Sequence, residues 1–180
     1  DPLKTTSNSY YPDLSISVGK NKCSNDITPE RTSLISTPDS EAPVYLGGYR
    51  NSWDNYCIWT PATKLVFPED LSYMFSGFTA INNDVSFTFN DGRDSNMLDF
   101  SKVKDVSHLF HKTLGYYSNK FKADGFTAYL KKAEIKNIES LYEDSGISAI
   151  DDASFMAKAK NISNAFKNTK YLDTADLSTW

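Results

Sequence analysis

The sequence predicts an α/β repeat fold: a solenoid of short strands and short helical turns, closed at its N-terminal end by a β-rich cap. Three observations carry this expectation. One short phrase recurs four times, the intervals between copies suit stacked units, and alternating segments that suit strands lie between the copies.

The phrase reads Asp70-Leu71-Ser72-Tyr73-Met74-Phe75, Asp105-Val106-Ser107-His108-Leu109-Phe110, Asn137-Ile138-Glu139-Ser140-Leu141-Tyr142 and Asn161-Ile162-Ser163-Asn164-Ala165-Phe166. Its apolar residues fall at i, i+3 and i+4, which places Leu71, Met74 and Phe75, then Val106, Leu109 and Phe110, then Ile138, Leu141 and Tyr142, then Ile162, Ala165 and Phe166 on one side of a helical turn. An Asp or Asn precedes the first apolar residue each time, as an N-cap would. A single turn is unstable alone, because helices shorter than about 12 residues are marginal in water. Neighbouring copies are therefore expected to bury one another, with a repeat core of Leu71, Met74, Phe75, Val106, Leu109, Phe110, Ile138, Leu141, Tyr142, Ile162 and Phe166.

The copies recur after 35, 32 and 24 residues. The last interval lies within the roughly 20 to 29 residues of leucine-rich repeats, and the longer two imply insertions. Candidate strands are Leu98-Asp99-Phe100-Ser101 and Ala175-Asp176-Leu177-Ser178, with weaker versions at Ile150-Asp151-Asp152-Ala153 and Leu130-Lys131-Lys132-Ala133. Residues 67–180 are thus read as a degenerate leucine-rich-repeat solenoid, truncated at its C-terminal end, and residues 1–66 as an irregular and β-rich cap. Within the cap, Leu14-Ser15-Ile16-Ser17-Val18 alternates as a strand does. Thr28 to Pro43, with Pro29 and Pro38, reads as an irregular connection, and residues 44–67 as a hairpin around Gly47-Gly48 or Asn55. The first insertion holds another alternating strand, Val85-Ser86-Phe87-Thr88-Phe89, before the turn Asn90-Asp91-Gly92.

The run Leu98-Asp99-Phe100-Ser101, then Val103-Lys104-Asp105-Val106-Ser107-His108-Leu109-Phe110, and the ending Ala175-Asp176-Leu177-Ser178-Thr179-Trp180 resemble the repeats of BspA-like leucine-rich-repeat surface proteins. Those repeats read L-D-L-S-x-W/F, then D-T-S-x-V, then T-N-M-S-x-M-F. The resemblance covers roughly residues 65–180, and Val44 through Trp59 with Leu65-Val66-Phe67 is similar to the aromatic lead-in before a first repeat. Residues 102–104 depart from the aspartate-threonine-serine segment, and Lys131 replaces a strand aspartate. The resemblance implies a secreted or surface-anchored bacterial protein, an adhesin or host-interaction module without enzymatic activity.

Composition narrows the function further. The net charge is −4, from 19 basic and 23 acidic residues, which disfavours a nucleic-acid surface. Lys102, Lys104, Lys112, Lys120, Lys122, Lys131, Lys132 and Lys136 interleave with Asp99, Asp105, Asp124 and Glu134, the pattern of a solvated face. No apolar run reaches the 18 to 20 residues of a membrane span. The chain opens on Asp1 and stops at Trp180 inside a repeat phrase, so a longer parent protein is expected. The two cysteines, Cys23 and Cys57, form either a bridge closing a loop of about 35 residues or two reduced thiols, and the surface-protein resemblance implies the bridge.

Candidate chemistry is sparse. His108 and His111 are three apart, yet no Cys or carboxylate in the sequence pattern completes a ligand set, so neither a metal nor another cofactor is expected. No phosphate loop and no Gly-x-Ser-x-Gly elbow is present. Asp99, Asp151 and Asp176 fall at one repeat position, but Lys131 interrupts the series and the bland reading is solvated or turn-bonded carboxylates. No residue is assigned a catalytic role. Phe87, Tyr116, Tyr117, Phe121 and Phe126 of the insertions are the candidate partner-binding residues, since aromatic side chains carry a large share of interface energy. The expected function is non-enzymatic binding of a host or cell-surface protein or glycan. A structural spacer presenting other domains is the alternative, and a carbohydrate-active enzyme a remote one.

Overall fold

In the computed structural model the described residues are 14–22, 27–48, 55–79, 81, 84–116, 118–178 and 180. The principal sheet is five-stranded and mixed, in the order β2 (Thr32–Leu34), β3 (Tyr45–Gly48), β4 (Asn55–Trp59), β1 (Leu14–Gly19), β6 (Val85–Phe89). β1 lies between β4 and β6 and pairs parallel with both, while β3 pairs antiparallel with β2 and β4. The alternation in the sequence decides which face turns inward. Ile16 and Val18 of β1 and Val85 and Phe87 of β6 are buried, and on the opposite face the Ser17 and Thr88 hydroxyls lie 2.9 Å apart. β4 is buried at Tyr56, Cys57 and Ile58 in succession. Beside Cys57, Gly47 leaves room for Ile27 and Trp59; a Cβ there would come within 2.6 Å of the Ile27 Cγ2.

The four repeated phrases are not helical. Each is a run of nine residues, 70–78, 105–113, 137–145 and 161–169, folded as three overlapping i→i+3 turns: Met74 N to Leu71 O, Ser76 N to Tyr73 O and Phe78 N to Phe75 O in the first, with the same pattern in the others. Numbering each run from 1 to 9, position 4 is left-handed throughout, at Tyr73 (φ 62°), His108 (φ 54°), Ser140 (φ 51°) and Asn164 (φ 58°). Position 8 is left-handed as well, at Gly77, Lys112, Asp144 and Asn168. A residue with positive φ cannot continue a right-handed helix, but it is what the third place of a type II turn requires. The Asp or Asn at position 1 accepts from the amide two residues on, as in Ser72 N to Asp70 Oδ1 at 2.7 Å and Ser107 N to Asp105 Oδ1 at 2.8 Å. This is an Asx turn and not a helix N-cap.

The runs lie one above another as four tiers. Asp70 pairs in parallel with Asp105, Asp105 with Asn137, and Asn137 with Asn161. Amides at positions 2, 4, 6 and 8 donate to the next tier: Leu71 to Asp105 O, Tyr73 to Ser107 O, Phe75 to Leu109 O and Gly77 to His111 O, and correspondingly down to Asp144 N to Lys167 O at 2.9 Å. The rings at position 6 form a file. Phe75 and Phe110 are 5.4 Å apart, Phe110 and Tyr142 5.5 Å, and Tyr142 and Phe166 5.9 Å, all nearly parallel. That spacing is set by the distance between paired chains, about 4.8 Å.

The leucine-rich-repeat solenoid is therefore overturned as the fold class. The chain is a mixed, sheet-rich fold, and the one α-helix among the described residues, α1 (Asp124–Leu130), belongs to no repeated phrase. The strand segments between tiers pair only two by two, β5 (Leu65–Val66) with β7 (Leu98–Asp99) and β8 (Ala149–Ile150) with β9 (Thr174–Ala175). The N-terminal sheet does not merely cap an end: its strand β6 comes from the first insertion, and one hydrophobic core runs continuously from Ile16 to Ala165. Phe126 and Leu130, four apart on α1, face that core, where Phe126 meets Phe75, Phe87 and Phe100 at ring distances of 5.0 to 5.6 Å.

Three substitutions test this packing. Phe110→Ala, which empties the middle of the ring file, is expected to cost about 3 to 5 kcal/mol in denaturant unfolding. Gly146→Ala is expected to cost about 3 kcal/mol or more, because its Cβ would overlap the Asn119 carbonyl, whereas Gly48→Ala, with open space around it, should change stability by no more than about 0.5 kcal/mol.

Candidate functional site

The tier geometry lines up side chains that are distant in sequence. Position 7 carries Ser76, His111, Glu143 and Lys167 down one flank, and position 4 beside it carries Tyr73, His108, Ser140 and Asn164. Tyr73, 54% exposed, stacks on His108 at 4.5 Å with the rings 9° from parallel. The two imidazoles meet edge to face at 5.4 Å. His111 Nδ1 lies 3.5 Å from the Ser76 hydroxyl. Glu143 Oε1 accepts from Lys167 Nζ at 2.6 Å. One ligand atom from each of His108, His111 and Glu143 lies within 4.8 Å of the other two. His108 Nδ1 is buried without a hydrogen-bond partner, a state that costs about 1 to 3 kcal/mol for a neutral polar atom.

Burial, helped by Lys112 and His108, holds the His111 pKa below its ordinary value. The hydrogen bond from Lys167, and then that from Ser140, pull the Glu143 carboxyl down to about 2. The sequence misses this cluster because Glu143 comes from the tier after the histidines, and only the register of pairing brings it beside them.

A cavity of about 370 Å³ opens beside position 8 of the lower tiers. Leu114, Asn119, Asp144, Ser145, Asn168, Lys170 and Tyr171 line it. Asn168 Nδ2 donates to Asp144 Oδ1 at 2.8 Å, and Asn119 Nδ2 reaches the Tyr171 hydroxyl at 3.4 Å. Gly146 makes this wall possible, since only a residue without a side chain lets the Asn119 carbonyl approach so closely. None of these lining residues stood out in the sequence. Asp144 and Asn168 occupy positions just past the recognised phrase, and Asn119 lies in an insertion.

The residues singled out from the sequence have varied fates. Leu71, Phe75, Val106, Leu109, Phe110, Ile138, Leu141 and Tyr142 are buried, and Met74 and Phe166 pack partly buried against the same core. Ile162, on the last tier, is instead 49% exposed, because no further tier lies against it among the described residues. Of the candidate partner-binding aromatics, Phe87, Phe121 and Phe126 are buried within the core, where they cannot meet a partner. Only Tyr116, 41% exposed, is accessible, and Tyr117 lies outside the described residues. Their aromatic density serves the hydrophobic interior. Cys57 is disulfide-bonded, and the only other cysteine of the chain, Cys23, lies outside the described residues.

The carboxylates at the shared strand position are engaged separately: Asp99 with Lys64 at 2.7 Å, Asp151 with Lys122 at 3.6 Å, and Asp176 with the Ser178 amide at 3.0 Å. Lys131, read as their interruption, pairs with Asp152 at 2.7 Å. Asp124 is the acid that burial raises above its ordinary pKa, with its Oδ2 unpartnered. It does not line the cavity.

Compared with known proteins, the chain matches no family model, no curated protein and no solved structure.

The Glu143–Lys167 pair gives a pH prediction. Because the folded pKa of Glu143 lies near 2 and its ordinary value is 4.5, the stabilisation it provides is present above about 4.5 and disappears as pH falls toward 2. Carboxyl-carbon NMR titration should place Glu143 well below the other glutamates, and Lys167→Met should return it toward 4.5.

Proposed function

We propose that this chain is a non-enzymatic binding module of a secreted or cell-surface protein, and that it takes a glycan in the cavity beside the lower tiers. The single observation that carries the reading is the composition of that cavity. Asn119, Asn168, Asp144, Ser145 and Lys170 line a space of about 370 Å³ together with Tyr171 and the apolar Leu114. Planar polar side chains suit the paired hydroxyls of a sugar, and an aromatic ring suits its apolar face. A protein partner would call for a larger exposed apolar anchor than the cavity offers.

Two further facts support an extracellular setting. Cys57 is disulfide-bonded, and such bonds persist mainly in oxidising compartments. The repeated phrase resembles those of BspA-like surface proteins, which supports an adhesin or host-interaction role in a bacterium, although the fold is not theirs. Among the described residues no helix is long and apolar enough to cross a membrane.

A glycan array probed with the full chain, alongside a pull-down against cell-surface proteins, tests the proposal. Saturable glycan binding that falls at least about tenfold in Tyr171→Ala and Lys170→Ala, with unfolding midpoints unchanged, is the expected outcome. Binding only to a protein would replace the glycan, and no partner of either kind would favour a structural spacer.

A further inference from the structure

We infer that His108, His111 and Glu143 hold one divalent transition-metal ion of the zinc class on the outer flank of the second and third tiers. Two imidazoles and a carboxylate are the donor types that such ions favour, and three protein ligands leave a fourth place for water. The donor atoms already lie within 4.8 Å of one another. Zinc bonds of about 2.1 Å place tetrahedral ligands roughly 3.4 Å apart, so shifts of the order of 1 Å in side-chain ends close the site.

The surroundings are those of a prepared site. His108 is held flat against Tyr73, and its Nδ1 is buried with no hydrogen-bond partner. His111 has the Ser76 hydroxyl 3.5 Å from its Nδ1, in the place where a ligating imidazole is commonly steadied by a second group. The backbones of the three residues are fixed by the tier ladder, in which His108 N donates to Glu139 O at 2.8 Å and Lys112 N to Glu143 O at 2.9 Å, and by the turn within the tier, in which His111 N donates to His108 O at 3.1 Å. All three side chains are partly exposed, so an ion can enter from solvent. Lys167, whose ammonium takes Glu143 Oε1, and the Ser140 hydroxyl, which also bonds this carboxylate, compete with the metal for it. An ion here would join two tiers through their side chains, as the hydrogen-bond ladder joins them through their backbones. The site is separate from the cavity, and its occupancy does not depend on the glycan reading.

Zinc titration of the full chain against a chromophoric chelator provides the test. One ion per chain is expected, with affinity falling at least tenfold in His108→Gln, His111→Gln and Glu143→Gln, and rising in Lys167→Met. Cobalt(II) substitution gives a readout on the unaltered protein, namely the visible absorption of a four- or five-coordinate site with nitrogen ligands. Absence of saturable one-to-one binding, equal affinity in folded histidine variants, or a cobalt spectrum of an octahedral all-oxygen site would each overturn the assignment.

Discussion

The hydrogen-bond ladder between tiers is the constraint from which the rest of this molecule follows. In the first three tiers, alternate amides donate to the next tier and the intervening ones close turns within the tier. A right-handed backbone cannot divide its donors in that way over nine residues. It must pass into the left-handed region at positions 4 and 8, and seven of those eight places hold residues other than glycine, among them Tyr73, His108 and Lys112. Each costs of the order of 1 kcal/mol in isolation. A single tier would therefore be unstable in water. Four interstrand hydrogen bonds per interface, each worth about 0.5 to 1.5 kcal/mol net, together with the file of rings at position 6, offset that strain only when the tiers are assembled. Stacking is a condition for the local conformation and not merely its consequence.

The same reasoning explains what could and could not be read in the sequence. Alternation alone located β1 and β6, because a sheet face announces itself with period two; residues 44–67 do contain an antiparallel pair, but Gly47-Gly48 and Asn55, read as its turn, lie within β3 and β4. The repeated phrase announced its inward residues well in the first three copies, where Leu71, Val106 and Ile138 are buried at the same point, though Ile162 of the fourth is exposed. Its backbone was misread. Apolar residues at i, i+3 and i+4 mark one side of a helix, but a chain of overlapping turns returns to the same side at nearly the same spacing. Tyr73, Ser140 and Lys112 are not residues that signal positive φ, and the hint carried by Gly77, Asp144, Asn164 and Asn168 is scattered over different copies and positions. α1 was missed because Phe126 and Leu130 sit among glycine, threonine and tyrosine, poor helix formers that are held helical by the core they cover.

Legibility of the site fails for a different reason. His108 and His111 are near neighbours in sequence, but their third companion arrives 32 residues later, and the insertions make the tier intervals unequal. The correspondence of His111 with Glu143 and Lys167 exists only once the aspartates and asparagines at position 1 are set in register. The side-chain bond from Asn137 Nδ2 to Asp105 Oδ2, at 2.8 Å, helps set it. The cavity depends likewise on Gly146, whose missing side chain admits the Asn119 carbonyl from a distant loop. Neither feature has a local signature.

Register also decides how the surface looks to a partner. Stacked tiers place unlike charges opposite one another, so Glu69 meets Lys104 at 2.7 Å, Glu134 meets Lys158 at 2.9 Å and Glu143 meets Lys167 at 2.6 Å. Lys64 with Asp99, Lys131 with Asp152 and Lys120 with Asp173 do the same beside them. Pairs of this kind, mostly exposed, add little to stability, about 0 to 1 kcal/mol each. Their effect is to cancel the field that unpaired rows of lysine or glutamate would project. A net charge of −4 distributed in this way offers weak long-range steering to a charged ligand. Any ligand of this surface would then be held by short-range contacts, hydrogen bonds and ring faces, and not drawn in by a long-range field.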